Sequence, residues 1–399
     1  MSPITALKVS EYRGKVHNLD VENSHSFCNI ASMVTMHNCA WVMAVNVFCR
    51  RNVGLIGMDL GYPEGTKLED TQYFCYSSDT RILTDKGFKH FYELNQEDDC
   101  IATLNRETGY MEYQKANNVV SFQYKGKLLH FDGHNYNLLV TPNHRLYCKN
   151  SCNHRSGYKF IEAKDLATKV HRARSSLTLD RRMKWGGSDN DIITIPTLPH
   201  RFPLLERKYK TAMSLRAENG WGCGKIAANL DLDWTTVYGW ICKNRNPQRA
   251  GGNPRNIKSF PTDLWMKFMG WYISEGSLVK RDHRISIPQG KTEYFSEIRQ
   301  IIEALGFKTR TVQYSNVLGI EFYSKQICAY LEPLGQARQK YIPPELKQLS
   351  PKHLRILLFT LCKGDGSFNK GVPRFYNTTS KRLADDVVEI ALKCGYVAT

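Results

Sequence analysis

The sequence has no run of about eighteen apolar residues, the length a helix needs to cross a bilayer, so no membrane partner is expected. Its opening stretch, MSPITALKVSEYRGK, lacks the apolar centre of a secretory signal peptide, and a cytoplasmic location is expected. The 12 cysteines are scattered without the spacing of a disulfide framework. In a reducing compartment they are expected to remain thiols unless chemistry recruits them. Cys148, Cys152 and His154 include metal-ligating residue types, but no second ligand pair follows at finger spacing, and zinc is not expected there. Negative charge is in short supply. Against 55 Lys and Arg stand 38 Asp and Glu, and the surplus of 17 positive charges calls for an anionic partner, most simply nucleic acid. A hydrophobic fraction of 42% allows a sizeable core, and 399 residues allow two or three domains.

The texture of the chain changes twice near its start. Residues 1 to 38 read as short strands, ITALKVSEY, KVHNLDVE and FCNIASMVTM, with a turn at NSHS. From Ala40 a helical run, AWVMAVNVFCRR, an apolar strand, NVGLIGMDLGY, and a polar loop read as a piece of an α/β sheet. At Cys75 strand-rich sequence resumes with CYSSDTRILT and continues through LLHFDGHNYNLLVTPNHRLYC. At the first change stands MVTMHNCAW, residues 33 to 41, in which an Asn amide could attack its own carbonyl with a neighbouring His assisting proton transfer.

KVHNLDVENSHSFCNIASMVTMHNC, residues 15 to 39, resembles the C-terminal end of an intein, a protein-splicing element with an all-β Hint fold. The resemblance makes His25 the internal histidine, His37 the penultimate histidine, Asn38 the terminal asparagine and Cys39 the first residue of the downstream host segment. CYSSDTRILT resembles an intein start with Cys75 as first nucleophile, and TPNH resembles the block in which Thr141 and His144 activate the first scissile bond. Asn18 departs from the pattern, since many relatives carry an acidic residue or Cys there. What the resemblance implies is a thioester formed by Cys75 with a modestly lowered thiol pKa, His144 protonating the departing nitrogen, Thr141 holding the oxyanion, and Asn38 cyclising to cut before Cys39. Splicing itself requires no cofactor.

The order is inverted, because the end precedes the beginning and the two flank residues 39 to 74. Three arrangements account for this: a host with two inteins, a chain that starts with the C-terminal part of a split intein, or a circular permutation. If residues 1 to 38 pair with residues 75 onward, splicing would close residues 39 to 74 into a ring of 36 residues, a chemically feasible product not expected to be the biological role. The host segments flanking the splicing element are its expected protein partners.

Farther along, the basic stretches KVHRARSS and LDRRMKWGG precede residues 218 to 244, which read as helix, turn at LDLD and helix. Ile226, Ala227 and Leu230 form the apolar face of the first helix, and Val237, Trp240 and Ile241 that of the second. The segment resembles a helix-turn-helix, which implies Thr235, Thr236 and Tyr238 facing the major groove and Lys243 and Arg245 the phosphates. FMGWYISEG and LFTLCKGDG, about 90 residues apart, are each followed by a strand and an amphipathic helix. This pair resembles a LAGLIDADG homing endonuclease of the kind inserted in inteins. Glu275 and Asp365 then occupy the acidic positions that would bind Mg²⁺ for phosphodiester cleavage of double-stranded DNA at the intein-free insertion site. Glu275 departs from the usual Asp, while Lys291 and Lys381, at corresponding places, read as surface lysines.

The expected organisation is therefore multidomain: 1–38 C-terminal intein segment, 39–74 host α/β fragment, 75–170 splicing region, 171–257 basic linker and helix-turn-helix, and 258–399 an α+β endonuclease. Because the second copy stops at GYVAT, coding sequence past Thr399 is expected to supply missing strands and another terminal Asn. The competing readings are a DNA-binding protein on an inactive intein scaffold and a fragment of an intein-interrupted host enzyme.

Overall fold

The computed structural model describes residues 4–21, 26–28, 35–37, 75–133, 136–150, 157–171, 177–178, 182–198, 201–245, 256–257, 259–314 and 317–398. His25, Asn38, Cys39, Cys152, His154 and all of residues 39 to 74 lie outside them. The chain divides into two units, one made of Met1–Asp189 with Ala337–Thr399 and the other of Asn190–Gln336. The two acidic motif residues are thus distributed, Glu275 to the second unit and Asp365 to the first.

The first unit is strand-rich. Its strands are β1 (Ile4–Val21), β2 (Ser26–Cys28), β3 (Thr35–His37), β4 (Tyr76–Ser77), β5 (Arg81–Thr84), β6 (Gly87–His90), β7 (Cys100–Leu104), β8 (Met111–Gly133), β9 (Tyr136–Val140), β10 (Arg145–Asn150), β11 (Lys159–Glu162) and β12 (Leu177–Thr178). Helix α1 (Ala163–His171) follows β11. One sheet runs β1–β4–β9–β8–β7–β5–β6, and because β1 also pairs with β8, four of its strands close on themselves. A second runs β11–β10–β3–β2, with β12 added to β10. Both sheets mix strands from before residue 38 with strands from after residue 75, so neither segment completes a sheet alone.

The two strands expected over residues 4 to 21 are one, antiparallel to β8 from Ile4 opposite Gly133 to Val21 opposite Ala116. Gly14, between the two expected strands, faces Tyr124 in the ladder, and Gly126 faces Tyr12. Each tyrosine ring lies back over the glycine two residues along its own strand. A Cβ at Gly14 would meet the Tyr12 hydroxyl at 2.8 Å, and one at Gly126 the Tyr124 hydroxyl at 2.6 Å. Tyr12 Oη donates to the Lys15 carbonyl and Tyr124 Oη to the Lys127 carbonyl, both at 2.9 Å. The glycines permit the rings to cover the backbone, which keeps the ladder continuous where two separate strands were expected.

Behind the sheets, Tyr76, Ile82, Phe91, Ile101, Phe131, Leu138, Val140 and Leu146 form a buried cluster. Each such large side chain contributes roughly 1.5–3 kcal/mol by leaving water. A second cluster joins Leu83, Leu104, Met111 and Met183 to Leu392 from the C-terminal part of the chain.

In the second unit, α2 (Arg201–Asn219), α3 (Cys223–Leu230) and α4 (Trp234–Ile241) form a three-helix body. Strand β13 (Ile192–Thr194) pairs with β14 (Ser259–Pro261), and α5 (Thr262–Glu275) leads into β15 (Ser277–Val279) and β16 (Arg284–Gln289). Then follow α6 (Thr292–Ala304), β17 (Arg310–Tyr314), β18 (Val317–Tyr323) and α7 (Lys325–Leu331), with an antiparallel sheet ordered β15–β16–β18–β17. Alternation explains this sheet: Ile285, Ile287, Ile320 and Phe322 are buried on one face. Across the other face, Arg284 donates to Glu321 at 2.9 Å.

The remainder, α8 (Pro344–Lys347), α9 (Pro351–Asp365), β19 (Gly366–Asn369), β20 (Val372–Tyr376) and α10 (Lys381–Lys393), belongs to the first unit. Both repeats therefore read helix, hairpin, helix, where a single strand was expected between the helices; the extra strand in each is too short, at 3 and 4 residues, to show a period. Among the described residues no helix is long and apolar enough to cross a membrane.

Candidate functional site

The Thr141–His144 stretch forms a tight turn between β9 and β10, closed by a bond from the His144 N–H to the Thr141 carbonyl at 3.0 Å. Pro142 in the second position sets φ for such a turn, and Asn143 suits the third. Cys75 lies beside it. The Cys75 N–H donates to Thr141 Oγ1 at 3.1 Å, the Thr141 N–H donates to the Cys75 carbonyl at 3.0 Å, and the Thr141 hydroxyl reaches that same carbonyl at 3.4 Å. Thr141 is fully buried, so these bonds fix Cys75 against the turn.

One expectation is corrected, that of a lowered Cys75 thiol pKa; the oxyanion role expected of Thr141 falls on residue 74. The described contacts of the Thr141 hydroxyl are the amide nitrogen and carbonyl of Cys75, so it attends the nitrogen of the bond before Cys75. An oxyanion on residue 74 lies outside the described residues. The thiol is not activated in this state, because burial pushes Cys75 up to about 12. An apolar surrounding penalises the thiolate, and no cation among its causes offsets that.

His144 is buried as well, and desolvation lowers it to about 3, which makes it a neutral imidazole at pH 7. The ring of Tyr76 meets it edge-on with centroids 4.4 Å apart. Nothing in the sequence singled out Tyr76, since its contact with residue 144 arises only when β4 joins β9.

The strand that ends at His37 comes to the same turn. In β3, Met36 pairs with Leu146 of β10, two residues beyond His144, while His37 itself pairs with Ser26 of β2. The backbones of the end block and of the Thr141–His144 block are thus adjacent, although more than a hundred residues of sequence separate the two stretches.

For the helix-turn-helix, Ile226, Ala227, Val237 and Trp240 are buried, with Leu230 and Ile241 packed against them. The sequence reading missed α2, which supplies Ala212, Leu205 and Tyr209 to the same core. Its mixed charge and weak amphipathicity hid it. Asp231, at φ 50°, ends α3 in the left-handed conformation, and Asp233 caps α4 by accepting the Thr235 N–H at 2.7 Å. Thr235, Lys243 and Arg245 are exposed, and Thr236 and Tyr238 are half-buried. Trp234 stacks on Tyr238 at 4.8 Å, with Lys243 over the same tyrosine ring at 5.7 Å.

Glu275 ends α5 and Asp365 ends α9, each followed by a glycine and a hairpin. The glycines are required by close approach. A Cβ at Gly276 would come within 2.6 Å of the Tyr272 carbonyl, and one at Gly366 within 2.7 Å of the Phe375 carbonyl. Both carboxylates are half-buried; burial raises Asp365 above the ordinary carboxylate range, with Lys340 pulling it back. Both side chains are hard oxygen ligands of the kind a divalent ion such as Mg²⁺ takes, and among the described residues no group of three or more ligand side chains could hold a metal ion. Lys291 immediately precedes α6 and Lys381 is the first residue of α10, one position apart relative to the two helix starts.

No protein-family model matches the chain. It is similar to the ATP-dependent Clp protease proteolytic subunit of Chlamydomonas moewusii, 27% identical over 340 residues that make up 84% of this chain and 29% of that protein. It is also similar to the DNA-directed RNA polymerase subunit beta C-terminal section of Stigeoclonium helveticum, 24% identical over 362 residues, 82% of this chain and 29% of that protein. The chain spans less than a third of the length of either relative. Among solved structures, variants of the homing endonuclease I-DmoI align over 27% of this chain and 63% of theirs, at 14% identity and a TM-score of 0.21. I-DmoI in complex with DNA and Mn aligns over the same shares, at 12% identity and a TM-score of 0.21.

Proposed function

We propose that the chain is an intein-type splicing element that carries a DNA-binding, DNA-cleaving homing endonuclease. The observation that carries the splicing half is the addition of β3, which ends at His37, to β10 beside the turn that holds Cys75. The end and the beginning of the splicing sequence share one sheet system, which favours the circularly permuted arrangement over two independent elements. The curated relatives support an inserted element: a protease subunit and a polymerase section bear names of different activities, yet each matches more than four-fifths of this chain.

The residues act as follows in this reading. Cys75 Sγ attacks the carbonyl of Phe74, forming the C–S bond as the C–N bond opens. Neutral His144 has one accepting and one donating nitrogen, so it can take the thiol proton and return a proton to the leaving nitrogen without holding net charge. Thr141 keeps that nitrogen oriented through its hydroxyl. Cys39 then takes the acyl group from Cys75, and cyclisation of Asn38 releases the Cys39 amine, which captures the acyl group as an amide. In this chain order the product is a ring of residues 39 to 74, 36 residues in all.

The nuclease half rests on the matched repeats. Glu275 and Asp365 would hold the divalent ion, which when bound activates water and stabilises the leaving oxygen. Thr235, Thr236 and Tyr238 would read bases, and Lys243 and Arg245 would hold phosphates.

Mass spectrometry of the purified chain tests splicing. A peptide one water lighter than linear residues 39 to 74, absent from Cys75→Ala and Asn38→Ala, is expected; an intact mass after long incubation would sink the reading. Incubation with Mg²⁺ and DNA spanning the intein-free site tests cleavage, with Glu275→Gln and Asp365→Asn expected to bind without cutting. A second reading, a DNA-binding protein on an inactive scaffold, is favoured by the protonated state that burial imposes on Cys75. It predicts DNA bound uncut and no consequence of changing Cys75.

A further inference from the structure

Two cysteines that look unrelated in the sequence meet in the helix-turn-helix. Cys223 opens α3 and Cys242 directly follows α4, and their sulfurs are 3.8 Å apart. Cys242 is exposed and Cys223 partly so, whereas Cys75, Cys148, Cys328, Cys362 and Cys394 are buried. A disulfide requires sulfurs about 2.0 Å apart. Closing the gap takes a side-chain rotation, because the two sulfurs are already in van der Waals contact and both sit at helix ends.

We propose that Cys223 and Cys242 are a reversible oxidation site, which a low-molecular-mass disulfide such as oxidised glutathione converts into a staple across the helix-turn-helix. Cys242, the more exposed, attacks first as its thiolate: a bond forms to one glutathione sulfur, the glutathione S–S bond breaks, and one glutathione thiolate leaves. Cys223 then loses its proton and attacks the Cys242 sulfur, forming the internal disulfide and expelling the second glutathione. Two electrons pass from the protein thiols to oxidised glutathione, and the two protons released are taken up by the two glutathione thiolates. Burial and the neighbouring Cys242 raise the Cys223 thiol, against a smaller opposing pull from Arg216, which suits Cys223 to the second step.

The staple encloses the turn and the whole of α4, including Thr235, Thr236 and Tyr238. The core beneath is small, with Ala212, Ile226, Ala227, Val237 and Trp240 as its buried members. A covalent closure here restricts the unfolded ensemble of a body with little burial to spare. Under reducing conditions the pair rests as thiols, as is usual inside cells, and an oxidising shift closes it. Its bearing on DNA rests on the helix-turn-helix reading above; the disulfide itself does not.

The full chain, incubated with oxidised glutathione, alkylated and digested, should yield one cross-linked peptide pair joining Cys223 to Cys242, released by reductant. Cys223→Ser should trap glutathione on Cys242 as a lasting adduct. Oxidised wild type should resist proteolysis between α3 and α4 several-fold longer than reduced wild type or Cys242→Ser. Persistent glutathione on wild-type Cys242 with no internal cross-link, or no reaction at either thiol, overturns the proposal. Failure of both redox states to bind DNA would overturn the DNA-binding reading and leave the cross-link standing.

Discussion

Thr141 Oγ1 accepts the N–H of Cys75 in a place closed to water, which makes it the side-chain atom that orients the proposed nucleophile. Thr141→Val keeps the shape and leaves that N–H without its acceptor, at a cost of about 1–3 kcal/mol. Thiol-induced cleavage before Cys75, followed by mass, should slow by roughly ten- to a hundredfold. The same buried site makes stability depend on pH in both directions. Cys75 is raised from 9.0 to about 12, so the unfolded chain gives up this proton first, and stability present below pH 9.0 is lost as pH rises toward 12. His144 is lowered from 6.5 to about 3, so the unfolded chain takes up this proton first, and stability present above pH 6.5 is lost as pH falls toward 3. Denaturant midpoints across pH should show the alkaline loss reduced in Cys75→Ala and the acid loss reduced in His144→Asn. The identity of these residues was legible from CYSSDTRILT and TPNH. Their protonation was not, since a pKa reports burial by strands such as β1 that lie more than fifty residues away in sequence.

Elements were legible where period and length agreed. The helices ending at Glu275 and Asp365 stood out as apolar runs, and α3 and α4 by their faces and the turn between them. The unbroken β1 was not, because its continuity is imposed by β8 and not by local preference. Nor was the attachment of α10. Lys347 Nζ reaches Asp386 and Glu389, each at 2.7 Å, and Lys393 Nζ reaches Glu389 at 2.7 Å. Tyr113 of β8 donates to Glu389 at 3.2 Å, and Lys393 lies 4.4 Å over the Trp185 ring. These charges are buried, so their worth is asymmetric. Lys347→Met leaves the buried Asp386 without its ammonium and Glu389 with Lys393 alone, and should cost about 3–5 kcal/mol, read as a lowered thermal midpoint. Adding Asp386→Leu should restore only part of it, because Asp386 also accepts the Ile342 N–H at 2.8 Å.

At the scale of the molecule, residues far apart in number form a common body. Residues 4 to 37 and 75 onward share two sheets, and β1 lies along β8 for most of its length. A chain opened within residues 39 to 74 should therefore stay associated: residues 1–38, supplied as a separate polypeptide, should co-purify with residues 75–399. Separate migration of the two on size exclusion would contradict the pairing. Composition pointed to several domains and an anionic partner, but it carried no sign of which segments would combine, because pairing depends on register between distant strands. That register has a further property. Tyr12 faces Gly126 while Gly14 faces Tyr124, so the strings YRGK and YKGK, read in opposite directions, present the same face to each other. The seam is self-complementary about a local two-fold axis. Because both strings carry the same alternation, the two strands can be interchanged about that axis without changing which side chain meets which glycine.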